Sequence, residues 1–161
     1  MKRVLLIFLI YLFSITSSYA NDRDVRLNQL FDELKVNKAK VAAIVAQEIW
    51  SLWSTHPTDQ KLTSLLEEGS RLVQDQQLNR AIDVFTEAIK IDPNWAEAWN
   101  KRATVFYMVK EFQKSQDDID KVLELEERHF GALAGQGMVN IKLKNYDKAK
   151  RSYQKAQEIY P

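Results

Sequence analysis

Residues 96–122 read AEAWNKRATVFYMVKEFQKSQDDIDKV, and six of them recur at a fixed step along the chain. Trp99 stands 34 residues after Leu65 and 34 before Leu133. By the same step Ala103 lies between Gly69 and Gly137, Phe112 between Leu78 and Tyr146, and Ser115 between Ala81 and Ala149. Ile119 lies between Phe85 and Tyr153, and Val122 between Ala88 and Ala156. Pro93 and Pro161 stand 68 apart, with Glu127 midway. Small and large apolar residues in fixed order at this period mark stacked helix–turn–helix units. One such unit cannot bury its own apolar face. It must stack on neighbours, and the stack leaves a long concave surface that binds other molecules.

Working outward from that stretch, residues 58–94, 95–127 and 128–161 form three repeats, each a helix A followed by a helix B. The spacing predicts helices near 59–74 and 78–91, 95–109 and 112–125, and 130–143 and 146–159. Gly69, Ala103 and Gly137 are expected where helix A crosses its own helix B, a place with no room for a larger side chain. Asn94-Trp95-Ala96-Glu97 reads as a capping box, with Asn94 bonding forward and Glu97 reaching back. Residues 21–57 fit the period poorly and read as an N-terminal helical pair that covers the first repeat. Leu27, Leu30, Phe31 and Leu34 share one face of its first helix. Asn37 is the expected cap of the second, whose stripe is Val41, Ala42, Val45, Ile49, Leu52 and Trp53. His56-Pro57 ends it, because the residue before a proline is pushed out of the helical region.

Residues 1–20 are of another kind. Lys2 and Arg3 precede the unbroken apolar run Val4 to Phe13, and Ser18-Tyr19-Ala20 offers small residues at a cleavage site. This is the pattern of a secretory signal peptide cut before Asn21. The alternative is an uncleaved anchor, but a spanning helix needs about 20 apolar residues, and Ser14, Thr16, Ser17 and Ser18 interrupt this run. The chain has no cysteine, which removes disulfides, thiolate metal sites and lipid attachment at cysteine. Export without disulfides suits a bacterial envelope, so the expected location is the periplasm, with no stable membrane anchor after cleavage.

Without Lys2 and Arg3 the chain carries 21 basic and 22 acidic side chains. Their distribution is uneven. Residues 62–95 and 96–127 each carry a net −3, whereas residues 128–161 hold seven basic and two acidic groups, a net +5. A nucleic-acid binder would carry a basic bias over the whole domain, so no nucleic-acid partner is expected.

The repeat columns, the run Ala96-Glu97-Ala98-Trp99-Asn100 and the turn Tyr146-Asp147-Lys148-Ala149 resemble the tetratricopeptide-repeat (TPR) family over residues 62–161. The resemblance implies an all-α fold, a right-handed superhelical solenoid of three repeats behind the N-terminal helical pair. Ile49-Trp50-Ser51-Leu52-Trp53, Trp99-Asn100-Lys101-Arg102-Ala103-Thr104 and Arg128-His129-Phe130-Gly131-Ala132-Leu133 also resemble small exported proteobacterial members, a likeness that brings no activity. Two positions depart from the family pattern. Arg102 replaces a usual leucine, with Glu68 and Gln136 in equivalent places, and Glu127 replaces the usual proline.

The residues offer little for catalysis. His56 and His129 lie in different turns, and a zinc site needs three or four converging ligands. No serine sits in a Gly-x-Ser-x-Gly turn. The glycines of 131–137 lie inside a repeat helix with no strand before them, which excludes a dinucleotide loop. Asp117-Asp118-Ile119-Asp120 lacks the turn glycines of a calcium loop and reads as a solvated outer face. Arg102 should meet Asp118 across its own repeat. No metal, no cofactor and no enzymatic activity are therefore expected.

Carried over from the family, the concave face holds Thr63, Leu66, Ser70 and Val73 in repeat one. Repeat two adds Glu97, Asn100, Thr104, Tyr107 and Met108, and repeat three adds Ala134, Met138, Ile141 and Lys142. Large adaptable groups beside polar ones suit a peptide or protein partner. The alternative is that three repeats curve too little to make a groove. Some relatives grip a terminal carboxylate with Lys, Asn and Arg. The matching places here are Leu66, Ser70, Lys101, Gly131 and Gly135, which do not make that clamp. The expected function is a monomeric adaptor. The rival readings are a self-associating envelope protein, or an enzyme or ligand carrier on a repeat scaffold. Lys150 follows Ile82 and Gln116 at the step of 34, and Gln157 follows Ile89 and Leu123, so the outer face of helix B in repeat three is expected to be polar and self-capping, with Tyr153, Ala156 and Ile159 used within the repeat.

Overall fold

The computed structural model describes residues 22–36 and 39–160. The expected signal segment, its cleavage site and the Asn37 cap lie outside the described residues, as does Pro161. Within the described residues there are eight helices and no strand, and the chain divides into two compact units between Gln60 and Lys61.

The first unit is a helical pair, α1 (22–36) and α2 (Ala39–Ser54). Leu27, Leu30, Phe31 and Leu34 are buried with Ala42, Val45, Ala46, Ile49 and Trp53. The Trp53 ring lies 6.0 Å from Phe31 and 5.3 Å from Trp50, edge-on to the latter. Arg26 ties the two helices through Glu48 at 2.8 Å. The stripe of α2 differs from expectation at two places: Val41 is exposed and Ala46 is buried. At the end of α2, His56 Nδ1 accepts the amides of Thr58 and Asp59, so this histidine closes the turn.

The second unit holds the three repeats: α3 (Gln60–Gln74) and α4 (Leu78–Ile91), α5 (Ala96–Met108) and α6 (Phe112–Leu125), α7 (Phe130–Lys142) and α8 (Tyr146–Ile159). These bounds fall within a residue of the spacing-based ones. The turn inside each repeat is the same. Gln76, Lys110 and Lys144 have φ of 57°, 65° and 63°, in the left-handed region. The following amides reach back to Leu72, Phe106 and Asn140 at 2.8 Å, closing the helix A carbonyls in a Schellman motif.

The 34-residue pattern works through paired sizes. At Gly69 an added Cβ would stand 2.3 Å from the Phe85 ring, and at Gly137 2.5 Å from the Tyr153 ring. Repeat two places Ala103 and Ile119 in the equivalent positions. A flat ring on helix B thus goes with glycine on helix A, and a slimmer isoleucine goes with alanine. Ser115 adds a bond across the same crossing, donating to the Ala103 carbonyl at 2.7 Å.

Stacking then makes one core per junction. Trp95, Ala98 and Val105 of repeat two join Leu62, Leu66, Leu72, Ala81, Phe85, Ala88 and Ile89 of repeat one. Ala132 and Val139 of repeat three join Ala103, Ile119 and Val122. Burying one aliphatic side chain of this kind stabilises by about 1.5–3 kcal/mol. Between repeats two and three runs a polar seam. Gln136 donates to Asp120 at 3.0 Å and accepts from Ser152 at 2.8 Å, and Asn140 donates to Gln116 at 2.6 Å. Every member is paired, which is what allows polar groups in a helical core.

Candidate functional site

The inner walls of α5 and α7 frame a recess of about 80 Å³ lined by Asn100, Ala103, Thr104, Tyr107, Ser115, Ile119, Gly131, Gly135, Met138 and Val139. It exists because Gly131 and Gly135 present no side chain where α7 faces α5, while Tyr107 and Met138 rise at its rim. A dry cavity of about 150 Å³ accepts a benzene ring, so this recess has room for one small aliphatic side chain.

Its walls are less polar than the sequence suggests. The Thr104 hydroxyl donates to the Asn100 carbonyl at 3.0 Å, and the Ser115 hydroxyl is spent on Ala103. Both hydroxyl protons are thus already used inside the repeat. Asn100 is held by Glu97, its Nδ2 donating to Oε2 at 3.0 Å. Tyr107 packs on Phe112 at 5.5 Å between centroids.

Four expected contact residues therefore meet here: Asn100, Thr104, Tyr107 and Met138. The others do not. Met108 and Ile141 are exposed apolar groups outside the recess, and Lys142 is exposed as well. Ala134 lines a different recess at the α7–α8 face. In repeat one, Thr63 and Leu66 are buried.

Glu97 is the clearest correction. It is neither a groove contact nor half of a capping box. Its side chain is 0% exposed, and Oε2 stands 3.0 Å from His129 Nε2 while Oε1 pairs with Lys101 at 3.2 Å. The Asn94 amide instead bonds Asp92 Oδ1 at 2.8 Å, and Trp95 is the N-cap of α5 without a side-chain bond. His129 caps α7, its Nδ1 accepting the Ala132 amide at 3.0 Å. Because Nδ1 accepts, the proton of the neutral ring sits on Nε2 and points at Glu97. The pair pins α5 to α7 and fixes Asn100 at the recess wall. Only its 32-residue separation, just short of the repeat, hinted at this contact.

Arg102 meets Asp118 as expected, with two bonds of 2.8 Å, and donates to Thr86 at 3.0 Å. Its guanidinium also lies 4.9 Å above the Trp99 ring. Burial raises the Asp118 carboxyl above its usual range, and Arg102 offsets part of that rise. The acidic run is thus split: Asp117 and Asp120 are on the surface, but Asp118 is buried. Among the described residues no group of His, Asp or Glu converges as a metal site, and no helix is long and apolar enough to cross a membrane.

The positions where relatives clamp a carboxylate are spent otherwise. Leu66 is buried, Ser70 bonds the Leu66 carbonyl at 2.7 Å, Lys101 is paired with Glu97, and Gly131 and Gly135 have no side chain.

A helical solenoid with such a recess on its inner face defines a repeat-type interaction module. The family model described as "TPR repeat" matches residues 69–109, and that described as "Tetratricopeptide repeat" matches residues 130–161. A TPR repeat-containing protein of Rhizobium etli is 32% identical over 84% of this chain and 67% of its own length. The chain belongs to the tetratricopeptide-repeat family. Among solved structures, the first TPR domain of Spaghetti (RPAP3), bound to the HSP90 peptide SRMEEVD, is 24% identical with a TM-score of 0.62, over 63% of this chain and 81% of that one. MamA is 18% identical with a TM-score of 0.58, over 90% of this chain and 82% of that one. Both likenesses establish the TPR solenoid fold.

Proposed function

We propose that this chain is an exported, non-enzymatic adaptor of the bacterial periplasm. It acts as a monomer and holds an extended segment of a protein partner across the inner faces of α5 and α7. The observation that carries this reading is the recess between Gly131, Gly135 and Tyr107. It is open, sized for one aliphatic side chain, and walled by hydroxyls whose protons are already used. The partner's anchor is accordingly a small apolar residue, with Met108, Met138 and Ile141 as adaptable contacts on either side. A chaperone-type carboxylate tail is not the ligand, because the one cation among the clamp positions, Lys101, is paired with Glu97.

Selection of peptides from a random library on the purified chain tests the reading. Bound sequences should share a Val, Ala or Leu anchor. Thr104→Arg with Met138→Arg adds bulk and charge at two exposed rim positions, and should weaken the selected peptides at least about tenfold while leaving the melting temperature in place. Undiminished binding to that variant would remove the recess from the function. Export is tested separately: protein recovered from the periplasm should begin at Asn21, and full-length chain confined to membranes would refute it.

A further inference from the structure

A second recess opens on the outer side of repeat three, lined by Phe130, Gly131, Ala134, Tyr153, Ala156, Gln157 and Tyr160. Two of these residues, Tyr153 and Ala156, are expected from the sequence to be used inside the repeat. They are used there only in part. The Tyr153 ring does cover Gly137, yet Tyr153 remains 36% exposed.

The repeat itself shows what such a face takes. Stepping back by 34, Ala134, Tyr153, Ala156 and Gln157 correspond to Asn100, Ile119, Val122 and Leu123, and then to Leu66, Phe85, Ala88 and Ile89. In repeat one all four are buried, and in repeat two three are, with Leu123 half-buried. Each set is covered by the next helix A. Helix α5 supplies Ala98 and Val105, seven residues apart, and α7 supplies Ala132 and Val139 at the same spacing. The third face has the same shape and three of the same four apolar positions. Its flank differs in charge: the register position of Ile82 and Gln116 is taken by Lys150, which is exposed, and residues 128–161 carry a net +5.

A second copy of this chain fits the face poorly. The helix it could offer is α3, whose residues at the covering positions are Ser64 and Arg71, preceded by Lys61 where α5 has Trp95. All three are exposed in this structure. Two cations would meet a basic surface, and no apolar pair would reach Tyr153 and Ala156.

We propose that the outer face of repeat three binds an acidic amphipathic helix of another protein, with a small residue and a β-branched residue seven apart, seated as α5 sits on repeat one. The site is distinct from the inner recess, although Gly131 borders both. It lets one chain hold an extended segment and a helix at once.

The probe is a synthetic peptide of residues 95–109. Asn100→Glu, Thr104→Glu and Tyr107→Glu on its far side make it acidic, and the same positions changed to Lys make a basic twin. Titration followed by amide NMR should show the acidic peptide binding at least about tenfold more tightly, with the difference shrinking as salt rises. Shifts should centre on Ala134, Tyr153, Ala156 and Gln157. Gln157→Leu in the protein should tighten binding severalfold, and Ala134→Arg should abolish it with helicity unchanged. Four results would overturn the proposal: no binding by the acidic peptide, equal binding when it carries Ala98→Asp with Val105→Asp, shifts confined to the inner recess, or a dimer of the protein that buries this face instead. None of these outcomes decides the peptide-groove reading, which is tested at Thr104 and Met138.

Discussion

Gly135 and Gly137 stand two residues apart in α7, and replacing each by alanine separates backbone propensity from packing. In an exposed helix interior glycine costs about 1 kcal/mol relative to alanine, a gain common to both variants. Their contacts differ. A Cβ on Gly135 would find only Ile119 Cδ1 at 3.6 Å, ordinary van der Waals contact. A Cβ on Gly137 would stand 2.5–2.7 Å from three atoms of the Tyr153 ring. Carbon atoms rest about 3.5–4.0 Å apart, so the ring must retreat by about 1 Å. Overpacking of that kind costs about 1–3 kcal/mol. Gly135→Ala should therefore stabilise by about 0.5–1 kcal/mol, and Gly137→Ala should range from neutral to destabilising by about 2 kcal/mol. In a domain of this size each kcal/mol is worth about 2–4 °C of melting temperature. Urea and thermal unfolding of both variants give the comparison. Repeat two supplies the rescue, since it pairs Ala103 with Ile119. Gly137→Ala combined with Tyr153→Ile should show a favourable coupling of about 1–2 kcal/mol in a double-mutant cycle. If the two single variants melt together, the size-pairing argument fails, and with it the account of why the repeat alternates glycine and alanine.

Other substitutions probe the remaining devices. Lys110→Gly or Lys144→Gly should raise stability by about 1 kcal/mol in chemical denaturation, since each lysine sits in the left-handed region at positive φ. Arg102→Leu alone should cost about 3–5 kcal/mol by leaving the Asp118 carboxylate buried and unpaired, whereas Arg102→Leu with Asp118→Leu should be close to neutral in the same assay. Glu97→Ala should destabilise by about 2–4 kcal/mol, because His129 Nε2 then lacks its partner. It should also weaken selected peptides, because Asn100 loses its support. Gly135→Ala should weaken the same peptides while raising the melting temperature, a split that an unused recess would not produce.

The sequence by itself determined the repeats, their helices to within a residue, and the family. A period of 34 with fixed small and large columns leaves one way to stack apolar faces that no single hairpin can bury. It also determined the Arg102–Asp118 pair, because two residues on facing sides of one repeat meet wherever that repeat folds. The tertiary structure decided what depends on neighbouring repeats. Glu97 looked like a cap and a groove residue, since both roles need only local spacing. Its carboxylate went to His129 because the junction between repeats buried both, and a buried carboxylate is held by the nearest donors rather than by a solvated amide. Tyr153 looked spent on its own helix A, and its ring does cover Gly137. Its remaining surface stays open, because no helix among the described residues packs on it as α5 packs on Phe85 and α7 on Ile119. Thr104 looked like a free polar contact, and only the fold shows its proton donated to the Asn100 carbonyl of α5, as that of Ser115 is to Ala103, which leaves the recess with fewer donors than the sequence suggests.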